Sequence, residues 1–406
     1  NETVRHIPLL DEHGVPVDYA STRRAHRIQV MSPQLDGNEL NYVTECLRTG
    51  WISSQGAFVK KFEAQFAERC HPGSGAGMTA LAVSNGTVAI HLALVALGIG
   101  EGDEVIVPDL TFAASINTIL HAGATPVIAD VHPVTWTLDP AEVEKLITPR
   151  TKAIMPVHLY GHPCHMDELM AIARKHKLFV VEDSAEALGA LYKGKPVGSF
   201  GDASTFSFFG NKTITTGEGG MVLLRDPAVA ERAIVLRDHG MDKRKRYWHQ
   251  MVGFNYRMTN IQAAIGVAQL ERLDEFVQAK RDLAAVYTEG LKAIGNITPP
   301  PEEAWASNGY WLYSCLVGEG FGVSRDELVE KMTRNGVETR PLFYPLHEMP
   351  PYVKYIKPGQ RFEVSTRLSR AGISLPSSVT ITREEQESVL GALRAIRETR
   401  RMQVQA

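Results

Sequence analysis

Lys212 stands in "FSFFGNKTITTGEGG", residues 206–220, between a run of strand formers and a cluster of glycines. Ser204 to Phe209 read as a short buried strand, and Thr216 to Gly220 as a turn or close-approach loop. A lysine at such a strand end is either a solvated edge residue or a reactive amine held in a pocket. Desolvation or a nearby cation lowers its pKa and lets it form a Schiff base with an aldehyde. Three more stretches offer chemistry. "VVEDSAEALGA" closes a hydrophobic strand on Glu182 and Asp183, where an acid can bind a metal, cap a helix or pair with a buried cation such as a protonated ring nitrogen. "PDLTFAASINT" sets Phe112 just after a strand, either to stack on a flat ring or to fill the core. "VSNGTVAIHLAL" puts Ser84, Asn85 and Gly86 between a strand and a helix, with Thr87 at the helix start; its free backbone donors either hold a phosphate or are simply capped.

An anion site, a stacking ring, a carboxylate and a lysine together suit pyridoxal phosphate, and Ser207, five residues before Lys212, is a further phosphate contact. The competing nucleotide sites fit less well. No GxGxxG opens a helix after a strand, and "GNKT" lacks the spacing of a phosphate-binding loop. No metal site is expected, because the cysteines and histidines show no ligand spacing.

The elements that must position these residues alternate. "MTALAVS", "DEVIVP", "TPVIADV", "KAIMPVHL" and "LFVVEDS" read as strands, with helices such as "TVAIHLALVALG" and "AASINTILHAG" between most of them. This predicts an α/β fold with a doubly wound sheet, in which ligands collect at the strand ends. "GMVLLRD" is expected to supply a later edge strand. Two amphipathic helices precede the sheet, the second carrying Phe58, Phe62 and Phe66 at four-residue spacing before the loop "HPGSGAG". A long helical region over about 257–293 and prolines at 299–301 mark a crossing into a small α+β domain, with "YWLYSCLV" and "VETRPLF" as strands and helices at "SRDELVEKMTRNG" and near the end. The expected division is an extension over 1–28, a large domain over 29–294 and a small domain over 295–406.

Composition restricts the setting. Of 406 residues, 44% are hydrophobic and 22% charged, with a formal net charge of −3, so nothing calls for nucleic acid or an anionic membrane. Cys46, Cys70, Cys164 and Cys315 are dispersed and fit a reducing compartment. With no apolar run of transmembrane length and no signal-peptide form at the start, a cytoplasmic location is expected.

The order of phosphate loop, aromatic ring, acid and lysine is that of fold type I, aspartate-aminotransferase-like enzymes. Together with "VHLYGH" and "VGFNYRMTNIQAAIG", these motifs resemble the DegT/DnrJ/EryC1/StrS sugar aminotransferases over about residues 29–395. The resemblance implies that Lys212 forms the Schiff base, that Asp183 pairs with the pyridine nitrogen and that Phe112 stacks on the ring. It gives the phosphate to Gly86, Thr87 and Ser207, with Asn255 reaching in from the neighbouring subunit of a homodimer or higher homo-oligomer. Glu186 stands where many relatives carry glutamine or histidine near the cofactor, and glutamate fits the perosamine-forming pattern. Related sugar 3-dehydratases have histidine in place of the lysine, so Lys212 favours transamination.

The implied reaction moves an amino group from L-glutamate through pyridoxamine phosphate to a nucleotide-linked 4-keto-6-deoxyhexose, with GDP-4-keto-6-deoxymannose favoured. The alternatives are a UDP- or dTDP-linked 3- or 4-ketosugar, a noncatalytic regulator, and a nucleotide-binding module. The charge run from Arg237 through Lys243, Arg244, Lys245 and Arg246 either faces a nucleotide diphosphate or is merely solvated. Arg340, Tyr344 and His347 belong to a region that approaches the substrate by resemblance. His158 and Tyr160 either border the substrate or pack in the core.

Overall fold

The computed structural model describes residues 6–21, 28–71 and 77–405. Most of the loop "HPGSGAG" and the ends of the expected extension lie outside them. In chain order the strands are β1 (His6–Leu10), β2 (Pro16–Ser21), β3 (Thr79–Val83), β4 (Glu104–Pro108), β5 (Thr125–Ala129), β6 (Thr151–Ile154), β7 (Phe179–Asp183), β8 (Leu191–Tyr192), β9 (Lys195–Pro196), β10 (Ala203–Ser207), β11 (Gly220–Leu224), β12 (Ile297–Thr298), β13 (Ala306–Ser307), β14 (Tyr313–Val317), β15 (Arg340–Pro341) and β16 (Gly372–Leu375). Strands β1 and β2 pair as an antiparallel hairpin, so part of the N-terminal extension has regular structure.

The central sheet has seven strands in the order β3-β11-β10-β7-β6-β4-β5. Pairing is parallel from β10 to β5, whereas β11 runs antiparallel to both β10 and β3. β11 is therefore not the expected edge, because it fills the gap between β10 and β3, and β3 takes the edge. A strand buried on both sides suits the wholly apolar "GMVLL". The parallel strands all end on one side of the sheet, and Phe112, Asp183 and Ser207 sit at or just beyond the ends of β4, β7 and β10.

Side-chain alternation fixes what faces the site. Phe206 and Phe208 bury their rings against Phe66 and Phe62 of the helix Ala57–Cys70, with centroids 4.9 Å and 5.1 Å apart. Ser207, between them, turns to the opposite face. Helix Gly86–Ala96 is apolar nearly all round and is buried at Ala89, Ile90, Leu92, Ala93 and Leu94 under the sheet.

The expected helical region over 257–293 is two helices, Asn260–Glu271 and Leu273–Ile294, which break at Arg272. The second joins two cores. Its Leu273, Phe276 and Val277 pack beside Phe62 and Phe206, while Leu283, Tyr287, Leu291 and Ile294 pack beside Tyr313 and Ile373. The second core belongs to the four-stranded sheet β12-β14-β16-β15. Only Arg340–Pro341 of "VETRPLF" enters that sheet. Ile28 packs in the same core, and its segment bridges Val337 in parallel.

Candidate active site

The loop after β10 holds Lys212 by backbone bonds: Lys212 N–H donates to Phe209 O at 2.9 Å and Thr216 N–H to Phe208 O at 2.9 Å. Gly220 then lets β11 pass the helix Gly86–Ala96, since a Cβ there would stand 2.5 Å from Asn85 O. The Lys212 ammonium lies 3.8 Å from Glu186 Oε1 and 3.6 Å from the centroid of the Trp311 ring. Burial lowers its pKa, opposed by the carboxylates of Glu186 and Asp183. Lys212 is thus a desolvated amine and not a solvated edge residue.

Asp183 ends β7 and is 5% exposed. Its Oδ2 accepts the Ser115 hydroxyl at 2.8 Å, and its Oδ1 accepts Ala185 N–H at 3.2 Å. Burial raises its pKa against the pull of those donors and of Lys212. Glu182, the neighbour on the strand, faces the other way. It accepts N–H groups from Gly198, Phe200 and Gly201 at 2.7–2.8 Å and lies 3.1 Å from His158 Nε2, so it is a satisfied core carboxylate.

Of the two readings open for His158, this pairing supports the core one, and the residue is fully buried. Cys164 N–H donates to its Nδ1 at 3.0 Å, which leaves the Nε2 proton for Glu182 and no nitrogen for a substrate. Tyr160 does approach the Lys212 cluster. Its N–H donates to Glu186 Oε2 at 2.9 Å, its hydroxyl accepts Phe343 N–H at 2.9 Å, and its ring stacks on Trp311 and Phe343. Its φ of 52° is strained for a non-glycine residue and aims that N–H at Glu186.

Glu186 is 5% exposed, and burial pushes its pKa up to about 7, against the Lys212 charge and the Tyr160 N–H. In the unfolded chain it titrates near 4.5, so the folded state binds the proton more tightly. Its ionisation therefore costs stability progressively as pH rises from 4.5 to about 7. Glu186→Gln should flatten that decline by roughly 1–3 kcal/mol. Urea midpoints of the cofactor-free protein across that range check it; a parallel decline in both proteins would refute it.

The phosphate-loop candidates meet at the helix Gly86–Ala96. Asn85 caps it by accepting Val88 N–H at 3.0 Å, and a Cβ on Gly86 would stand 2.7 Å from Ser207 Cβ. The first helical amides, partly exposed Thr87 and Ser207 thus share one small cradle. Gly86→Ala should displace Ser207, cost roughly 1–3 kcal/mol of stability and weaken phosphate binding, measured by cofactor titration and thermal melting. Phe112 is 59% exposed at the end of β4 and lies 5.8 Å from Phe343, a ring open for stacking.

These residues fit pyridoxal phosphate. A largely buried amine, its side chain 13% exposed, faces two buried carboxylates, a helix N-terminus and Ser207 form a cradle, and an aromatic face stands open beside them. Asp183 carries burial without a full cation partner, which suits a positively charged ring nitrogen. Lys212 would take the aldehyde, Asp183 the ring nitrogen, Phe112 the ring face, and Gly86, Thr87 and Ser207 the phosphate.

The remaining expectations separate. His347 donates its N–H to Asp109 Oδ1 at 2.8 Å, sets Nδ1 2.7 Å from Asp109 Oδ2 and stacks on Phe362, so it ties its own segment to the end of β4. Arg340 lies 3.6 Å from Glu338, and Tyr344 is exposed. Arg244 and Arg246 are exposed; Arg244 N–H donates to Asp242, and Arg246 lies over the Tyr247 ring, both within their loop. Asn255 is exposed too. Sequence reasoning missed Ser115, Trp311 and Lys280. Ser115 had a signal in the quoted "PDLTFAASINT", one turn beyond Phe112; Trp311 and Lys280 had none, being brought in from the segment before β14 and from the helix Leu273–Ile294.

Comparison with known proteins agrees with this geometry. The model of the DegT/DnrJ/EryC1/StrS aminotransferase family matches residues 33–394. The chain is 50% identical over 369 residues to the GDP-perosamine synthase of Caulobacter vibrioides, covering 90% of this chain and 97% of the relative. It is 48% identical over 359 residues to that of Escherichia coli O157:H7, covering 88% and 95%. Among solved structures, DesV of S. venezuelae in complex with a ketimine intermediate matches with a TM-score of 0.83 at 33% identity, over 97% of this chain and 99% of DesV. The fold is that of the pyridoxal-phosphate sugar aminotransferases, and the chain belongs to the DegT/DnrJ/EryC1/StrS aminotransferase family.

Proposed function

We propose that this aminotransferase moves the amino group of L-glutamate to GDP-4-keto-6-deoxymannose, giving GDP-perosamine for polysaccharide biosynthesis. The observation that carries the reading is the largely buried Lys212 facing Glu186 and Asp183, in a chain half identical over most of its length to a GDP-perosamine synthase. When bound, pyridoxal phosphate supplies the electron sink that stabilises a carbanion. Lys212 Nζ, uncharged more readily because it is desolvated, is the nucleophile and afterwards the base that carries a proton from the donor carbon. Asp183 holds positive charge opposite it. Glu186 Oε1 stands within reach of Nζ, with a pKa near neutrality, and is suited to hold or release a proton as Lys212 changes charge.

The site is proposed to be completed by a second copy of the chain, with Asn255 reaching its partner's phosphate. Its exposure supports this, as do exposed Tyr247, Trp248 and Val252 in the preceding loop. Arg244, Arg246, Arg340 and Tyr344 remain candidates for the nucleotide sugar. The large and small domains are proposed to divide near residue 294. Four free, buried cysteines support a cytoplasmic location; no helix among the described residues is long and apolar enough to cross a membrane.

The test is the visible absorption of the lysine-bound cofactor, followed through L-glutamate and then GDP-, UDP- or dTDP-linked ketosugars. Loss of the band with glutamate and its return with the GDP-linked sugar alone supports the reading. Return only with another nucleotide overturns the acceptor, and a protein that takes up no cofactor overturns the whole. Asn255→Ala should weaken cofactor binding by roughly tenfold, about the worth of one charge-assisted hydrogen bond. Mixed oligomers of Asn255→Ala and Lys212→Ala chains should regain sites holding both native residues; no regain would place Asn255 in its own chain's site.

A further inference from the structure

Lys212 Nζ has two close neighbours: Glu186 Oε1 at 3.8 Å and the face of Trp311, with its centroid at 3.6 Å. Trp311 is 5% exposed and tightly held. Its indole N–H donates to Asn211 O at 2.7 Å, which ties it to the residue before the lysine. Its ring lies within 10° of parallel to Tyr160. Its carbonyl accepts Lys280 Nζ at 3.1 Å, and the same ammonium donates to Ser377 O at 2.8 Å and lies 3.8 Å from Met31 Sδ. Lys280 is fully buried and burial lowers its pKa to about 7; its amine, where the long helix meets the segment before β14 and the N-terminal segment, helps fix the Trp311 backbone.

We propose that Trp311 and Glu186 together form a seat for the Lys212 amine, with the indole face stabilising its charged form. A cation over an indole face, shielded from water, is held by the ring quadrupole, and Trp is the strongest of the aromatic hosts. The seat lets a lysine that burial pushes toward neutrality hold the proton once it has taken it from the donor carbon. It also couples the reactive amine to the four-stranded sheet, because Trp311 lies two residues before β14. Glu186 and Asp183 face the amine from β7 and the turn after it, Tyr160 borders Glu186, and Lys280 lies behind Trp311. Trp311 is therefore a positioning residue for Lys212. The inference rests on Lys212 being the reactive amine.

The test uses full-length, cofactor-free protein. Lys212 is labelled with trace acetic anhydride across pH, and its modification is followed by mass spectrometry. Only the free amine reacts, so the midpoint reports its proton affinity. Trp311→Leu should lower that midpoint by about one pH unit, a tenfold loss of proton affinity. Trp311→Phe, which keeps a weaker face, should lower it by less. If Trp311 merely shields the amine, its removal lets water in and raises the midpoint. An upward shift or none in Trp311→Leu, or in Trp311→Phe should the first variant fail to fold, overturns the proposal. The labelling needs no cofactor, so its failure is separate from failure of the absorption test.

Discussion

Lys212→Ala should abolish transamination and the visible absorption of bound cofactor while leaving the fold intact. The lysine is asked to do two jobs, covalent attachment and proton transfer. The second alone is commonly worth roughly 10²–10⁴-fold in rate, and losing both should take turnover below detection. The fold should survive because Lys212 contributes no net stabilising ion pair: burial of its ammonium opposes the attraction of Glu186 and Asp183. In the folded state its proton is held less tightly than in the unfolded chain, so wild-type stability rises with pH from the depressed folded pKa up to about 10.5. Lys212→Ala should remove that rise. Lys212→Arg separates charge from chemistry, since guanidinium stays protonated and forms no Schiff base; it should be as inactive as the alanine variant. Turnover, absorption and pH-dependent melting check all three. Turnover in Lys212→Ala comparable to wild type would remove Lys212 from the chemistry.

What could be read from the sequence were groups whose neighbours along the chain explain them. Asp183 closes an apolar strand, Gly86 and Thr87 open a helix after one, and Ser207 alternates with two phenylalanines; period and punctuation place each of them. The β11 strand was legible as an element but not in its position, because wholly apolar strands look alike wherever they lie in a sheet. Trp311, Lys280 and Asp109 were illegible. Their roles come from contacts between elements 31 to 256 residues apart, such as Lys280 with the Trp311 carbonyl and Asp109 with Ser365. For His158 the sequence left a substrate role and a core role open, and Glu182 on the far face of β7 engages it in the core. Adjacent acids on a strand point to opposite faces, so "ED" holds one core carboxylate and one site carboxylate.

Asp183→Asn should move stability and activity in opposite directions. Burial raises the Asp183 pKa above the 3.8 of an ordinary aspartate, so ionising it in the cofactor-free protein costs stability as pH rises through and beyond that value. The amide removes the cost. It also fits: Ser115 can turn from donor to acceptor toward the amide and give its proton to Thr111 Oγ1, 3.1 Å away, while Ala185 N–H keeps its oxygen partner. The cofactor-free variant should therefore melt higher than wild type at neutral pH. With cofactor bound the sign reverses, because a neutral amide cannot hold a positive ring nitrogen. Losing one partner of a buried, hydrogen-bonded charge pair costs about 2–5 kcal/mol, and each 1.36 kcal/mol is about tenfold in rate. Turnover should fall roughly 30- to 5,000-fold, and the gain in melting temperature on adding cofactor should shrink. Melting curves with and without pyridoxal phosphate, beside steady-state rates, decide it. A variant that melts lower in both states would make Asp183 a structural acid. One that keeps wild-type turnover would leave the ring nitrogen without the partner assigned to it.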